Sequence, residues 1–269
     1  MKAYVINLAR SHDRRAHITA ELKKTGLDYE ILTAVDGQDV DLTDRAIVDP
    51  AMTHMTKFLA GATGIALSHL SAYKKMVEDG LDKALVLEDD VTLPADLAIL
   101  ADAVADQLTG AEVALLSYGT CAGSTKLSRE GSVELPPGRL LAMPIELRRM
   151  VSGGAYIITR EACERLIKFI MPVRVNADDW CYFYTEGALD RVRCVVPMPV
   201  HKEPNLISTL GSYKLGRSSL KGRLVWAIVQ FKIPILHQML NRRRKRIYDE
   251  STRQELVDLP FVEKPSRLD

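Results

Sequence analysis

Apolar positions in this chain follow two rhythms. Short uninterrupted aliphatic runs alternate with longer stretches in which apolar residues return every three or four positions. This is the pattern of buried strands separated by amphipathic helices. Residues 3–8 are the first such run. The polar segment after it carries Ser11 and Asp13, either of which suits the N-cap of a helix over 14–25 that Gly26 closes. Residues 29–34 read as a second strand leading into the turn Val35-Asp36-Gly37. A β-α-β opening predicts parallel strands joined by a right-handed crossover. Residues 39–56 are polar and irregular, a surface loop. Residues 61–77 open on glycines and space Ile65, Leu67, Leu70, Tyr73 and Val77 as a helix does. A strand over 84–87, an Ala/Leu-rich helix over 94–108 and a strand over 113–117 follow. Residues 121–139 are Gly/Ser/Pro-rich with no apolar period and read as a mobile loop. Gly153 and Gly154 open a β-rich run to 159, and glycine there marks the close approach of a ligand or another backbone. Residues 161–170 form a helix stopped by Pro172. Residues 193–200 carry Pro197 and Pro199 and read as a last, edge strand. The fold class is therefore α/β, a mostly parallel central sheet flanked by helices.

The run Ala84-Leu85-Val86-Leu87 ends on three consecutive carboxylates, Glu88, Asp89 and Asp90. Adjacent acids repel one another, so the end of a buried strand suits them if a cation sits there; the competing reading is a solvated acidic turn. In an extended segment side chains at i and i+2 point the same way. Glu88 and Asp90 would then share one metal while Asp89 faces elsewhere. Hard oxygen ligands on an open site suit Mg²⁺ or Mn²⁺ carrying phosphate oxygens. Ligands of parallel sheets gather at the carboxyl ends of strands, which puts Asn7, Arg10, Asp36 and Gly37 on the same rim. A second acidic pair, Asp178-Asp179, precedes a short helix and reads either as a cap or as chemistry. His201, delivered by the last strand, is a candidate third metal ligand. Ser68 and His69 fall inside a helix, where a histidine satisfied by a neighbouring carbonyl is the plain reading.

Length and composition are those of a soluble globular α/β protein, with 47% hydrophobic and 26% charged residues. Charge is unevenly placed. Residues 1–213 carry 23 Lys+Arg against 29 Asp+Glu, whereas residues 214–248 carry 10 Lys+Arg and no acid. This divides the chain into a main domain over 1–213, which would carry any catalysis, and a basic amphipathic helical tail over 214–269. Residues 224–240 are too short, and too interrupted by Lys232 and Pro234, for a membrane span. An amphipathic helix on an anionic leaflet fits better, with Trp226 and Phe231 as anchors and Arg242 to Arg246 on headgroups. Cys121, Cys163, Cys181 and Cys194 show no metal-binding spacing and read as reduced thiols of a cytoplasmic protein. The apolar part of the N-terminus is too short for a signal peptide. Nothing resembles a nucleic-acid-binding module.

Phosphate-binding G-x-x-x-x-G-K-[ST], dinucleotide G-x-G-x-x-G after the first strand, and the G-x-S-x-G elbow are all missing. Four segments instead carry a resemblance. They are Val5-Ile6-Asn7-Leu8 with Arg10, Arg14 and Arg15; Gly61 and Gly64 through Ser68-His69; Leu85 to Val91; and Gly153 to Ile158. In this order they resemble glycosyltransferase family 25, the bacterial lipooligosaccharide enzymes similar to collagen galactosyltransferase domains. Ile65 departs from the cysteine often found there, and the match weakens after Asp179. The resemblance implies a GT-A type fold, a UDP-sugar donor (commonly UDP-galactose) and Mn²⁺ or Mg²⁺ held by Glu88 and Asp90. It also implies that Asn7, Arg10, Asp36 and Gly37 line the uridine pocket, and that Ser68, His69, Asp89, Gly153 and Gly154 lie near the donor. Asp178 or Asp179 would take the acceptor proton in an inverting transfer. The acceptor would be a glycolipid or oligosaccharide at the inner face of the cytoplasmic membrane. The competing readings are an inactive membrane-tethered binding protein of the same fold and a metal-dependent phosphoesterase.

Overall fold

Alternate side chains of the run Ala84–Leu87 enter two different cores. Ala84 and Val86 join one apolar cluster, Leu85 and Leu87 the other, and all four are buried. Tyr4 and Ile6 alternate with Ala3 and Val5 in the same way, as do Tyr156 and Ile158 with Ala155 and Ile157. Strands buried on both faces are what a helix-covered sheet produces. The computed structural model of the chain describes residues 1–50, 52, 59–120, 123–203, 206 and 234–261.

The elements in chain order are β1 (Lys2–Asn7), α1 (His12–Lys23), β2 (Asp28–Thr33), α2 (Leu59–Glu78), β3 (Lys83–Glu88), β4 (Val91–Thr92), α3 (Leu97–Asp106), β5 (Glu112–Thr120), β6 (Thr125–Leu135), β7 (Arg139–Pro144), β8 (Met150–Thr159), α4 (Arg160–Phe169), α5 (Trp180–Thr185), β9 (Arg191–Val196), β10 (His201–Lys202), α6 (Pro234–Thr252) and β11 (Gln254–Val257). Nine strands form one sheet in the order β11-β6-β7-β9-β5-β8-β3-β1-β2. All but β7 and β8 run the same way, and β1 pairs in parallel with both β2 and β3. Residues of α1 and α3 pack one face of the sheet, those of α2, α4 and α5 the other. This is the α/β architecture expected from the sequence. Register aligns Ile6 with Glu88 and brings the ends of β1 and β3 to one rim.

Three expectations change. The described part of the segment 121–139 is not a loop: residues 125–135 are strand β6, which pairs with β7 as a hairpin. Half of β6 is exposed, so its sequence lacks the apolar alternation of a buried strand. Next, β9 is not an edge strand but lies between β7 and β5. Pro197 and Pro199 fall beyond its last residue, Val196, and leave its ladder donors intact. The boundary at 213 also shifts in meaning. Strand β11 adds itself in parallel to β6, and Gln254 accepts the Met198 N–H through its side-chain oxygen at 2.7 Å. Part of the expected tail thus completes the main sheet. The anchors Trp226 and Phe231 lie outside the described residues. Among the described residues no helix is long and apolar enough to cross a membrane.

Candidate active site

Strand β3 stops at Glu88, and Asp89 and Asp90 occupy the turn before β4. Strand alternation therefore does not run through the three acids, and Glu88 and Asp90 are not paired on one face as expected. Asp89 and Asp90 instead share a guanidinium. Arg14, from the first turn of α1, reaches Asp89 Oδ1 at 2.6 Å through Nη1 and Asp90 Oδ2 through Nη2. Asn7, at the end of β1, donates to Asp89 Oδ2 at 2.7 Å. All four side chains are buried. Burial pushes Asp89 up to about 6 against the pull of Arg14 and Asn7, with the charges of Asp90 and Glu88 adding to the rise. Asp90 Oδ1 is buried with no hydrogen-bond partner.

Glu88 belongs to a second group. Lys202 Nζ lies 3.3 Å from its Oε2, and His69 Nε2 lies 3.9 Å from its Oε1. Burial opposes the Glu88 charge, but Lys202 and His69 outweigh it and hold the carboxyl well below the usual range. His69 is held from behind, its Nδ1 sharing a 2.6 Å hydrogen bond with the Tyr156 hydroxyl, which meets the Tyr73 hydroxyl at 2.9 Å. His69 Nε2 is buried and has no hydrogen-bond partner. A carbonyl is thus not what satisfies this histidine; two tyrosines aim it at Glu88. Gly153 makes room for both, since a Cβ there would stand 3.2 Å from His69 Nε2 and 3.3 Å from Glu88 Oε1. Asp178 faces the same group. Burial raises its pKa, and the Glu88 charge raises it further.

The second acidic pair divides. Asp179 caps α5, accepting the Tyr182 N–H at 3.2 Å, so the cap reading holds for it alone. Trp180, the first residue of α5, donates to the Ser152 carbonyl at 3.0 Å, and Ser152 has a φ of 138° in the region that favours glycine. This strained residue ties β8 to the segment that carries Asp178. His201 is exposed. On β10 successive side chains point opposite ways, so Lys202 turns to the acids and His201 does not. Among the described residues no three His, Cys, Asp or Glu side chains group as metal ligands. Arg10 pairs with Asp36 on the neighbouring rim. Gly37 and Gly64 let the 35–37 turn lie directly on α2, where a Cβ at either would collide with backbone. Ser68 fastens that turn by accepting the Val35 N–H at 2.8 Å. A Cβ on Gly154 would stand 3.3 Å from Ser117 Oγ, so its close neighbour is a strand side chain.

Sequence reasoning gave Arg14, Lys202 and Tyr156 no role in the site. A cation demand was legible in three adjacent acids, and Arg14 is the one arginine of the 10–15 run that is buried. Four carboxylates (Glu88, Asp89, Asp90, Asp178) face two cations (Arg14, Lys202), leaving an excess of two negative charges. That excess and the unpartnered Asp90 Oδ1 are features that would suit a divalent cation.

The family model described as "Glycosyltransferase family 25 (LPS biosynthesis protein)" matches residues 1–181. A glycosyltransferase 25 family member of Anopheles gambiae is 33% identical over 97 residues, covering 33% of this chain and 16% of the relative. Human procollagen galactosyltransferase 2 is 30% identical over 95 residues, covering 33% and 15%. The inactive glycosyltransferase 25 family member 3 of mouse is 35% identical over 101 residues, covering 34% and 16%. The chain thus spans about a sixth of the length of these relatives. Among solved structures, a glycosyltransferase involved in glycosylation of the major capsid of PBCV-1 aligns at 10% identity with a TM-score of 0.30, covering 76% of this chain and 83% of that one.

Proposed function

Because the chain belongs to glycosyltransferase family 25, we propose that it transfers a hexose, galactose first among the candidates, from a UDP-sugar to a lipooligosaccharide or other cell-surface glycan. The observation that carries this reading is the buried, partnerless Asp90 oxygen within a carboxylate cluster two charges in excess, at the carboxyl ends of β1 and β3. When bound, Mn²⁺ or Mg²⁺ would supply Lewis-acid stabilisation of the departing diphosphate, with Glu88 and Asp90 as its carboxylate ligands. Arg14 and Asn7 hold the acidic turn in place through Asp89. His69, aimed by Tyr156, presents Nε2 beside Glu88 for a donor hydroxyl. Asp178 takes the acceptor hydroxyl proton as the oxygen bonds to the sugar C1 and the C1–phosphate bond breaks, the electron pair leaving on the diphosphate. Its raised pKa makes it a stronger acceptor for the hydroxyl proton than a free aspartate. The test is a donor screen with UDP-galactose, UDP-glucose and UDP-GlcNAc, each with and without Mn²⁺. Slow metal-dependent UDP release is expected from one of them. Release of inorganic phosphate instead points to a phosphoesterase.

The basic helix bears on where the acceptor would be met. On α6, Arg242, Arg243, Lys245 and Arg246 are exposed beside exposed Leu236, Met239 and Ile247. This supports peripheral contact with an anionic leaflet, each basic residue near such a surface contributing roughly 1 kcal/mol. Replacing the four basic residues with alanine is expected to lower co-sedimentation with phosphatidylglycerol vesicles by at least about tenfold, leaving phosphatidylcholine vesicles unbound as before. Equal binding by both proteins would remove the membrane reading.

A further inference from the structure

Glu88 is asked to do two things at once. The proposed function makes it a metal ligand, yet its Oε2 already has the Lys202 ammonium 3.3 Å away. The Lys202 backbone is fixed from both sides. Strand β10 pairs with β4, which sets Lys202 opposite Val91, and the Glu203 N–H donates to the Asp90 carbonyl at 2.7 Å. From α6, the Tyr248 hydroxyl accepts the Lys202 N–H at 2.8 Å. The side chain, by contrast, is 42% exposed and has room to leave. A lysine so anchored, next to the acids but on their solvent side, is placed to leave and return without moving the chain.

We propose that Lys202 is a built-in competitor for the metal, whose ammonium must leave Glu88 before a divalent cation can use that carboxylate, and whose second partner is the diphosphate that arrives with the metal. Two positive charges cannot share one carboxylate without repelling each other. Metal alone therefore binds weakly, because displacing Lys202 breaks its ion pair with Glu88. Metal with a nucleoside diphosphate binds well, because the diphosphate takes up the displaced ammonium. Metal and donor consequently enter together, and their affinities are coupled reciprocally. This inference rests on the metal-dependent reading of the site and adds the residue that would make metal uptake depend on the nucleotide.

The test is Mn²⁺ binding, read by electron paramagnetic resonance of free Mn²⁺, with and without UDP, in the full chain. In the wild type UDP is expected to tighten Mn²⁺ binding. Lys202→Met is expected to bind Mn²⁺ alone at least tenfold more tightly than wild type and to lose most of the UDP-induced gain. Lys202→Gln serves as a second uncharged variant should the first not fold, and Lys202→Arg, which keeps the charge, should behave as wild type. If the uncharged variants bind Mn²⁺ no more tightly than wild type, the inference falls and the metal reading stands. If no protein binds Mn²⁺ even with UDP, both fall.

Discussion

Asp178→Asn is expected to lower turnover by about 10²–10⁴-fold, the usual weight of a general base, without lowering stability. The sign of the second half follows from its pKa. Burial and the Glu88 charge raise it in the folded state, so folding favours the protonated form and the ionised carboxylate above that pKa costs stability. Asparagine removes that cost. Transfer by the wild type should fall as pH drops through the raised Asp178 pKa, and this limb should vanish from the residual activity of the variant. Asp179→Ala is expected to behave in the opposite way. Its carboxylate caps α5, so its loss should cost about 1 kcal/mol of stability and leave the pH profile in place. Turnover against pH, with thermal unfolding of both variants, separates the two neighbours. A larger loss of turnover in Asp179→Ala would reverse the assignment.

Arg14→Met is expected to destabilise the fold by about 3–5 kcal/mol, the scale for removing one partner of a buried ionic group. For a chain of this size that corresponds to a melting temperature lower by on the order of 10 °C. The loss arises because Asp89 and Asp90 would face each other in a buried turn with no guanidinium between them. It should depend on pH. Asp89 is already pushed up to about 6 by burial, and removing Arg14 takes away the strongest influence holding it down. In the window between its unfolded and folded pKa the native state binds more protons than the unfolded chain, so stability falls as pH rises through it. The deficit should therefore be smaller at pH 5 than at pH 8. Arg14→Lys should recover only part, since a single ammonium cannot make the two-pronged contact. Thermal unfolding across that pH range checks both points, and a deficit independent of pH would contradict them.

Much of the fold was legible because buried strands advertise themselves. The run 84–87 announces its burial through unbroken apolar residues, strand β8 through the stretch Ala155 to Ile158 after its two glycines, and the β-α-β opening through its change of period. Strands β6 and β11 did not, since each is half-covered at the outer end of the sheet, and what holds them is backbone pairing rather than an apolar pattern. The site was legible as a place but not as a set of partners. Three adjacent acids marked the rim, yet which acid faces which cation depends on where β3 ends. A strand two residues longer would have paired Glu88 with Asp90; ending at Glu88, it hands Asp89 and Asp90 to Arg14. His201 and Lys202 are a similar case. The two-residue strand β10 decides which of them turns inward, and its partner β4 is too short to be read from its own residues.

We propose that the acidic turn binds a nucleotide sugar through a divalent cation. Calorimetric titration of wild-type and Asp90→Asn protein with UDP-galactose, in Mn²⁺ and in chelator, tests it most directly. The expected result is binding by the wild type that requires Mn²⁺ and is lost in Asp90→Asn, while the variant keeps the wild-type far-ultraviolet circular dichroism. Binding of equal strength with and without Mn²⁺, or undiminished in Asp90→Asn, would contradict the claim.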